Sequence, residues 1–394
     1  MFFLTVQKKT IDPQLNTTIN SFLNKYVVIK NVSNQKVLSA RFGNGYVEAG
    51  PETDDDRQKF IIFQLDNNVF LIGGKETGRK ITCDHNSYET AILAYSDYDL
   101  AQLPDNAFVN SHWILKNVKD NIFNMINKEF YLYLSSQPQF PTGSFGIWGF
   151  TDSATGSTNE QFEFLPQEET INIPTAPSLE KLDPFPKYTS FTDNLPDETP
   201  HRLTGWTKIP YLIVKDNEVP SEFKIDMAPY YVIKKYQYWK KIETLSLAPG
   251  ESRSTSYTYG TTTTTTTNME KRIDMTINED GGIKFNLTKI NLGITGDMKK
   301  TITDNLDIRE SSTTRVMNST TETDDQRNPF TTKPLVYSRY ILTTELQYIR
   351  PSQNKYDPDI LIDSWTFTDH QTMKITSFPS REEISAELNK LKIK

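Results

Sequence analysis

Over residues 283–294 the chain alternates apolar and polar side chains, and the alternation changes parity once. Ile283, Phe285 and Leu287 are separated by Lys284 and Asn286; beyond Thr288-Lys289 the apolar residues are Ile290, Leu292 and Ile294. A period of two is the signature of a strand. A parity change across two residues is that of a hairpin, because a turn at Thr288-Lys289 sets Leu287 opposite Ile290, Phe285 opposite Leu292, Ile283 opposite Ile294 and Gly281 opposite Gly296. One face of such a ribbon is apolar apart from the glycines. The other carries Asn286 and Asn291, Lys284 and Gly293, Asp280 and Asp297. The flanks are rich in Ser, Thr and Tyr: Ser254 to Tyr259 and Thr261 to Thr267 on one side, Ser311 to Thr314 and Ser319 to Thr321 on the other. These residues suit a pleated surface, so the whole stretch from Arg253 to Thr323 is expected to be extended.

Two readings of the ribbon stay open. It is a half-buried hairpin of a soluble sheet, or its apolar-out, polar-in pattern is that of a membrane barrel. A spanning strand takes about 9–11 residues, so the second reading needs Met275 to Ile277 and Met298 to Ile302 to lengthen the arms. An alternative turn at Asn278-Glu279-Asp280-Gly281-Gly282 has better turn chemistry than Thr-Lys. Both turns together make a three-stranded meander in the soluble form.

Composition narrows the class. Aromatic residues are 12% of the 394, with 19 Tyr and 22 Phe, while hydrophobic residues in total are only 36%. That is the balance of amphipathic strands, and the fold class is expected to be all-β. The net charge of −7 and the lack of a basic stripe exclude nucleic acid as a partner. One cysteine, Cys83, rules out an intramolecular disulfide framework. No apolar run approaches the ~18 residues of a spanning helix, and Met1 to Lys9 lacks the charged start and long apolar core of a secretory signal. The expectation is a protein made in soluble form, which must change conformation to act on a membrane.

The order of segments suggests five parts. Residues 1–24 read as an extension with Phe22 and Leu23 docking. Residues 25–164 hold short strands separated by Gly, Asn and Asp, with an internal repeat. Phe60-Ile61-Ile62-Phe63 through Val69-Phe70 resembles Trp113-Ile114-Leu115-Lys116 through Ile122-Phe123, and a third copy ends at Gln161-Phe162-Glu163-Phe164. The anchors Phe60, Trp113 and Phe162 recur at roughly 50 residues, and three repeats of four short strands make a β-trefoil. Residues 165–200 carry Pro166, Pro174, Pro177, Pro184, Pro186, Pro196 and Pro200, a stiff linker by composition. Residues 201–380 form a second domain, a sheet. It includes Trp206 to Val214, the aromatic strand Pro229 to Trp239, Pro334 to Ile349, Trp365 to Thr368 and Met373 to Thr376. Residues 381–394 are a helical tail opened by the capping box Ser380-Arg381-Glu382-Glu383, with Ile384, Leu388 and Leu391 as its stripe.

Catalysis finds no support. His85, His112, His201 and His370 lie in no metalloprotease motif, no nucleophile elbow is present, and one cysteine cannot make a thiolate metal site. The expectation is a protein that is not an enzyme and needs no cofactor.

Gln58-Lys59-Phe60, Ser111-His112-Trp113 and Glu160-Gln161-Phe162 resemble a degraded Gln-x-Trp signature of ricin-B-type lectins. By that resemblance Asp84 with Tyr98, and Trp148 with Asn159, are the candidate glycan-binding pairs, an aromatic face beside a polar group. Leu203-Thr204-Gly205-Trp206-Thr207-Lys208-Ile209-Pro210, followed by Ala228-Pro229-Tyr230-Tyr231-Val232-Ile233-Lys234-Lys235-Tyr236-Gln237-Tyr238-Trp239, resembles the insecticidal binary-toxin-like crystal proteins of spore-forming bacteria. The resemblance spans about residues 25–380. It implies a trefoil head and an elongated, antiparallel, aerolysin-like pore-forming domain, deposition in a parasporal crystal, trimming by gut proteases, for which the tail 381–394 is a candidate segment, and action outside the producing cell. It also implies a gut-epithelial receptor or glycan, the target membrane and a self-oligomer as partners, with a second toxin component in some members. The competing class is a binding protein, lectin or inhibitor, with a passive β stalk.

Overall fold

The computed structural model describes residues 19–23, 25–40, 47–66, 68–85, 90–95, 109–136, 146–151, 155–273, 275–285, 296–352 and 356–392. Its N-terminal half is a β-trefoil. The strands are β1 (Lys25–Asn31), β2 (Val37–Ala40), β3 (Val47–Gly50), β4 (Phe60–Asp66), β5 (Val69–Gly74), β6 (Lys80–His85), β7 (Thr90–Tyr95), β8 (Val109–Asn110), β9 (Trp113–Lys119), β10 (Ile122–Asn127), β11 (Tyr133–Ser136), β12 (Gly146–Thr151) and β13 (Gln161–Thr170). Six of them close a ring, β1 to β4 to β5 to β9 to β10 to β13 and back to β1. The other hairpins are β2–β3, β6–β7 and β11–β12.

The threefold repeat is visible in three turns with one hydrogen-bond scheme. The backbone N–H of Asn31, Gly74 and Asn127 donates to the carbonyl of Lys36, Arg79 and Leu132, at 2.8, 3.0 and 2.9 Å. Each turn ends on a left-handed residue, Gln35, Gly78 or Tyr131. Phe60, Trp113 and Phe162 are all fully buried at the common core. Phe22 joins them, with its ring 5.8 Å from Phe123 and 5.4 Å from Phe164. The segment before β1 is therefore part of the core at its end. Removing that ring leaves a cavity among other aromatics, so Phe22→Ala is expected to cost about 3–5 kcal/mol. A urea unfolding curve measures this; a loss below 1 kcal/mol, the cost of a surface change, would show the ring to be dispensable.

The second half is a five-stranded antiparallel sheet in the order β14 (Arg202–Pro210), β15 (Tyr230–Leu247), β20 (Leu335–Arg350) and β21 (Ile360–Thr368), with β22 (Lys374–Phe378) also on β20. β15 and β20 run together from Val232 opposite Ile349 to Leu247 opposite Leu335. β14 stops at Pro210, and Tyr211–Ile213 turn as a 3₁₀ segment where the sequence suggested strand as far as Val214. A short helix, α1 (Ser221–Met227), precedes β15.

β13 continues past Phe164 to Thr170, and the proline-rich chain after it lies along the sheet. Phe185 packs edge-on against Trp239 at 5.4 Å and Tyr340 at 5.7 Å, and the indole N–H of Trp239 donates to the Asp183 carbonyl. Head and sheet share one apolar core: Phe63 packs on Tyr211 and Tyr230, and the Tyr26 hydroxyl donates to Asp226. After β22 comes the tail helix, Arg381–Lys392, in which Ser380 and Glu383 exchange both bonds of a capping box. Ile384 packs beside Leu245, Leu247, Leu335 and Tyr337, while Leu388 is exposed.

Candidate functional site: a polar ribbon and its tucked insert

The Ser/Thr-rich flanks form a separate two-stranded ribbon, β16 (Ser252–Tyr259) with β19 (Thr320–Arg327). Its register is unbroken, from Ser252 opposite Arg327 to Tyr259 opposite Thr320. Ser256 with Thr323 and Thr258 with Thr321 bridge their hydroxyls on the exposed face. The inner face carries Thr255, Tyr257 and Tyr259 opposite Asp324, Glu322 and Thr320. Both tyrosines donate to Glu322, at 2.6 and 2.8 Å. Burial, and then the bond to Glu322, push the Tyr257 phenol up to about 12.

A buried charge cluster clamps this ribbon to the sheet. Arg339 and Glu243, from β20 and β15, face each other at 3.1 Å with side chains 4% and 5% exposed. Arg339 also pairs with Asp324 of the ribbon, and its guanidinium lies 3.9 Å over the Tyr257 ring. Tyr337 donates to Glu243 at 2.9 Å and accepts from Arg339, and Thr255 donates to the other oxygen of Glu243. Burial works against the guanidinium's charge, but Asp324, Tyr337 and Glu243 outweigh it and raise its pKa.

Between the ribbon strands lies an insert, and here the structure corrects the sequence reading. Gly260, at φ +97°, turns the chain out of the ribbon; a Cβ there would lie 2.1 Å from the Asn318 carbonyl oxygen. The threonine run does not continue as strand. Thr262 bonds the backbone N–H of Thr265, and a helix, α2 (Thr263–Ile273), follows. β17 (Met275–Ile277) and β18 (Ile283–Phe285) then pair across the Asn278–Gly282 turn, with Met275 opposite Phe285 and Ile277 opposite Ile283. So in this state Ile283 and Phe285 take Ile277 and Met275 as partners, across the alternative turn that the sequence offered at Asn278–Gly282. Met298 to Ile302 belong to a helix, α3 (Gly296–Leu306), so Gly296 and Asp297 are not strand partners of Gly281 and Asp280. Leu287, Ile290, Leu292, Ile294, Asn286 and Asn291, and the Thr288-Lys289 turn, lie outside the described residues.

The insert is packed through its apolar residues. Met269 and Ile273 of α2, Met275, Ile277, Ile283 and Phe285 of the hairpin, and Met298, Ile302 and Leu306 of α3 are all buried in the core beneath β14, β15, β20 and β21. Gly205 of β14 allows α3 close: a Cβ there would come within 2.9 Å of the Leu306 Cα. Asp280 secures the hairpin turn, accepting from the Ser311 hydroxyl at 2.8 Å and the Ser312 N–H at 3.0 Å. Partial burial opposes its charge, yet these donors hold its carboxyl below the usual range. No helix among the described residues is long and apolar enough to cross a membrane, which leaves crossing by strands untouched.

The proposed lectin positions are only partly placed. Asp84 stands in β6 opposite Ala91 of β7 and Val109 of β8, and Trp148 in β12 opposite Ser136 of β11. The side chains of Asp84 and Trp148, and Tyr98 as a whole, lie outside the described residues. The Ser136 hydroxyl reaches Asn159 at 3.4 Å, so the Trp148 strand pair and Asn159 do meet, and the Asn159 carbonyl accepts from the Asn31 amide at 2.8 Å. The glutamine position of the lectin-like signature does internal work in two repeats. Gln58 accepts from the Thr53 N–H and Glu160 from the Thr155 N–H, at 2.7 and 2.9 Å, each buried and closing its own loop. The clamp residues Arg339 and Glu243 were missed by sequence reading. A charge inside an aromatic strand, as in Tyr337-Ser338-Arg339-Tyr340, was the available signal.

Comparison with known proteins gives consistent results. Residues 202–338 match the family described as Insecticidal Crystal Toxin, P42. The insecticidal crystal protein Cry35Ab1 of Bacillus thuringiensis is 26% identical over 339 residues, 84% of this chain and 82% of that protein. The binary larvicide subunit BinA of Lysinibacillus sphaericus is 27% identical over 339 residues, 83% of this chain and 85% of that one. The crystal structure of Cry35Ab1 superposes with a TM-score of 0.75 at 24% identity, covering 92% of each chain, a likeness of fold.

Proposed function

We propose a function from the premise that this chain belongs to the binary-toxin-like family of insecticidal crystal proteins. It is an insecticidal toxin whose trefoil docks on a receptor or glycan of the target gut epithelium. Copies then assemble, and a hairpin from each insert enters the membrane as part of a β-barrel. BinA is named a subunit of a binary larvicide, and the reading accordingly includes a second protein component.

The supporting observation is the placement of the insert. It is enclosed by a polar ribbon whose strands tolerate water on their outer face, and its own apolar residues are stored against the sheet. A bilayer admits only helices or closed barrels, because every backbone donor must be paired. One hairpin cannot close a barrel, so the pore requires several copies. Ile283, Phe285, Leu287, Ile290, Leu292 and Ile294 are assigned to lipid, and Lys284, Asn286 and Asn291 to the lumen.

The test is dye release from vesicles made with insect midgut brush-border lipid and glycoprotein. Release is expected from the protease-trimmed protein and not from Leu292→Asp. A cysteine scan of 283–294 in a Cys83→Ser background, with a polarity-sensitive dye, should show two-residue alternation reversing in parity across 288–289. A protein that coats these vesicles without release is a binding protein, and that result overturns the pore.

A further inference from the structure

We infer that helices α2 and α3 are stored strands, which on the membrane continue the β16–β19 ribbon in its own register and present one apolar face to lipid acyl chains. The inference rests on the pore reading above and extends it to segments folded as helix.

The first argument is parity. In α2, the β17–β18 hairpin and α3 the buried apolar residues are Met269, Ile273, Met275, Ile277, Ile283 and Phe285 before the tip and Met298, Ile302 and Leu306 after it; the buried residues of opposite parity there, Thr266, Thr276 and Asn278, are polar, and the one buried apolar exception among the described residues, Met317, lies beyond α3 in the segment that returns to β19. Every one of the first group is odd-numbered and every one of the second even-numbered. In α2 and α3 the apolar residues recur at intervals of four: Met269 and Ile273, then Met298, Ile302 and Leu306. A spacing of four puts side chains on one face of a helix, and because it is even it also puts them on one face of a strand. The same residues thus serve the soluble core as helices and a lipid face as strands. On the described part of the opposite face, Thr276, Asn278, Asp280, Lys284, Lys299, Thr301, Thr303 and Asn305 are all polar.

The second argument is charge. Extending the observed ribbon one residue at a time from Tyr259 opposite Thr320 sets Glu270 opposite Arg309, Arg272 opposite Asp307, Glu279 opposite Lys300 and Asp280 opposite Lys299. Four opposite-charge pairs fall directly across from one another, which favours that register. The register read from the sequence alone, two residues away, instead places Asp280 opposite Asp297. In the soluble protein these groups have different partners: Asp280 lies by Arg309, Arg272 by Asp363, Glu279 by Arg315, Lys299 by Glu310 and Lys300 by Asp304. The extension also brings Glu279 and Lys300, two of the charges on the apolar face, into contact with each other. Ile277 then faces Ile302 and Ile273 faces Leu306, continuing the apolar stripe.

A spectroscopic ruler tests this. Spin labels at Thr262 and Glu270, eight residues apart in the Cys83→Ser background, are separated by about 12 Å along a helix and about 26 Å along a strand. The short distance is expected in solution and the long one on the midgut-lipid vesicles. Release of dye with the distance still short overturns the inference and leaves the pore standing. No release overturns the pore, and the inference with it. Register is read separately: Glu279→Lys alone and Lys300→Glu alone are expected to cut the release rate at least tenfold, and the double reversal to restore it. Failure of the double reversal to restore release overturns the register.

Discussion

Replacing Arg339 by alanine is expected to cost the soluble protein about 3–5 kcal/mol, the range seen when one partner of a buried ion pair is removed. Glu243 would be left charged and 5% exposed, with only the Tyr337 and Thr255 hydroxyls for company. The ribbon would lose its contact through Asp324 and the guanidinium over Tyr257. Two readouts follow. The thermal midpoint falls, and trypsin cuts at Arg253 and Arg327 of the ribbon at lower doses than in the parent. Arg339→Lys should recover little of this, since an ammonium cannot serve Glu243, Asp324 and Tyr337 in one plane. A variant with the parent's midpoint and cleavage pattern would remove the clamp from the account.

A carboxylate in place of Phe285 is expected to unfold the soluble protein, not merely to silence it. The alternation in the sequence puts Phe285 on the apolar face of a hairpin and leaves both a soluble sheet and lipid open as its surroundings. The structure buries it to 4% exposure, pairs its strand with β17 and sets the Lys299 ammonium 5.5 Å from its ring. Deleting a core phenylalanine costs about 3–5 kcal/mol, and an unpaired buried carboxylate adds to that. Together they approach the whole stability of a typical domain. Circular dichroism on Phe285→Asp should therefore show lost tertiary signal at room temperature. A folded protein with a midpoint near the parent's would contradict the packing of the insert. Phe285→Leu keeps an apolar side chain and is the variant with which to ask about the membrane step alone.

The trefoil was legible because its constraint is repeated. Three turns must each reverse the chain in the same way, and three aromatic anchors must meet at one axis, so Phe60, Trp113 and Phe162 announce themselves by spacing. The sheet was legible because β15 and β20 are long and aromatic, and the tail because Ser380 and Glu383 form a local cap. What the spacing could not show was the use made of the glutamine position. Gln58 and Glu160 close loops five residues upstream, which depends on the path of the loop in three dimensions.

The central stretch divides the two sources of information most clearly. Its sequence determined which side chains stand together, odd-numbered before the tip and even-numbered after it, and that parity holds in helix and strand alike. It did not determine which of the two forms. Threonine favours strands by its stiff branched side chain, yet Thr263 to Thr267 are helical, since intrinsic preferences of under a kcal/mol per residue yield to burial. Met269, Ile273, Met298, Ile302 and Leu306 reach the core beneath β14 and β21 from helices, with Gly205 making room. That choice belongs to the tertiary structure, because it depends on a surface supplied by strands far away in the chain.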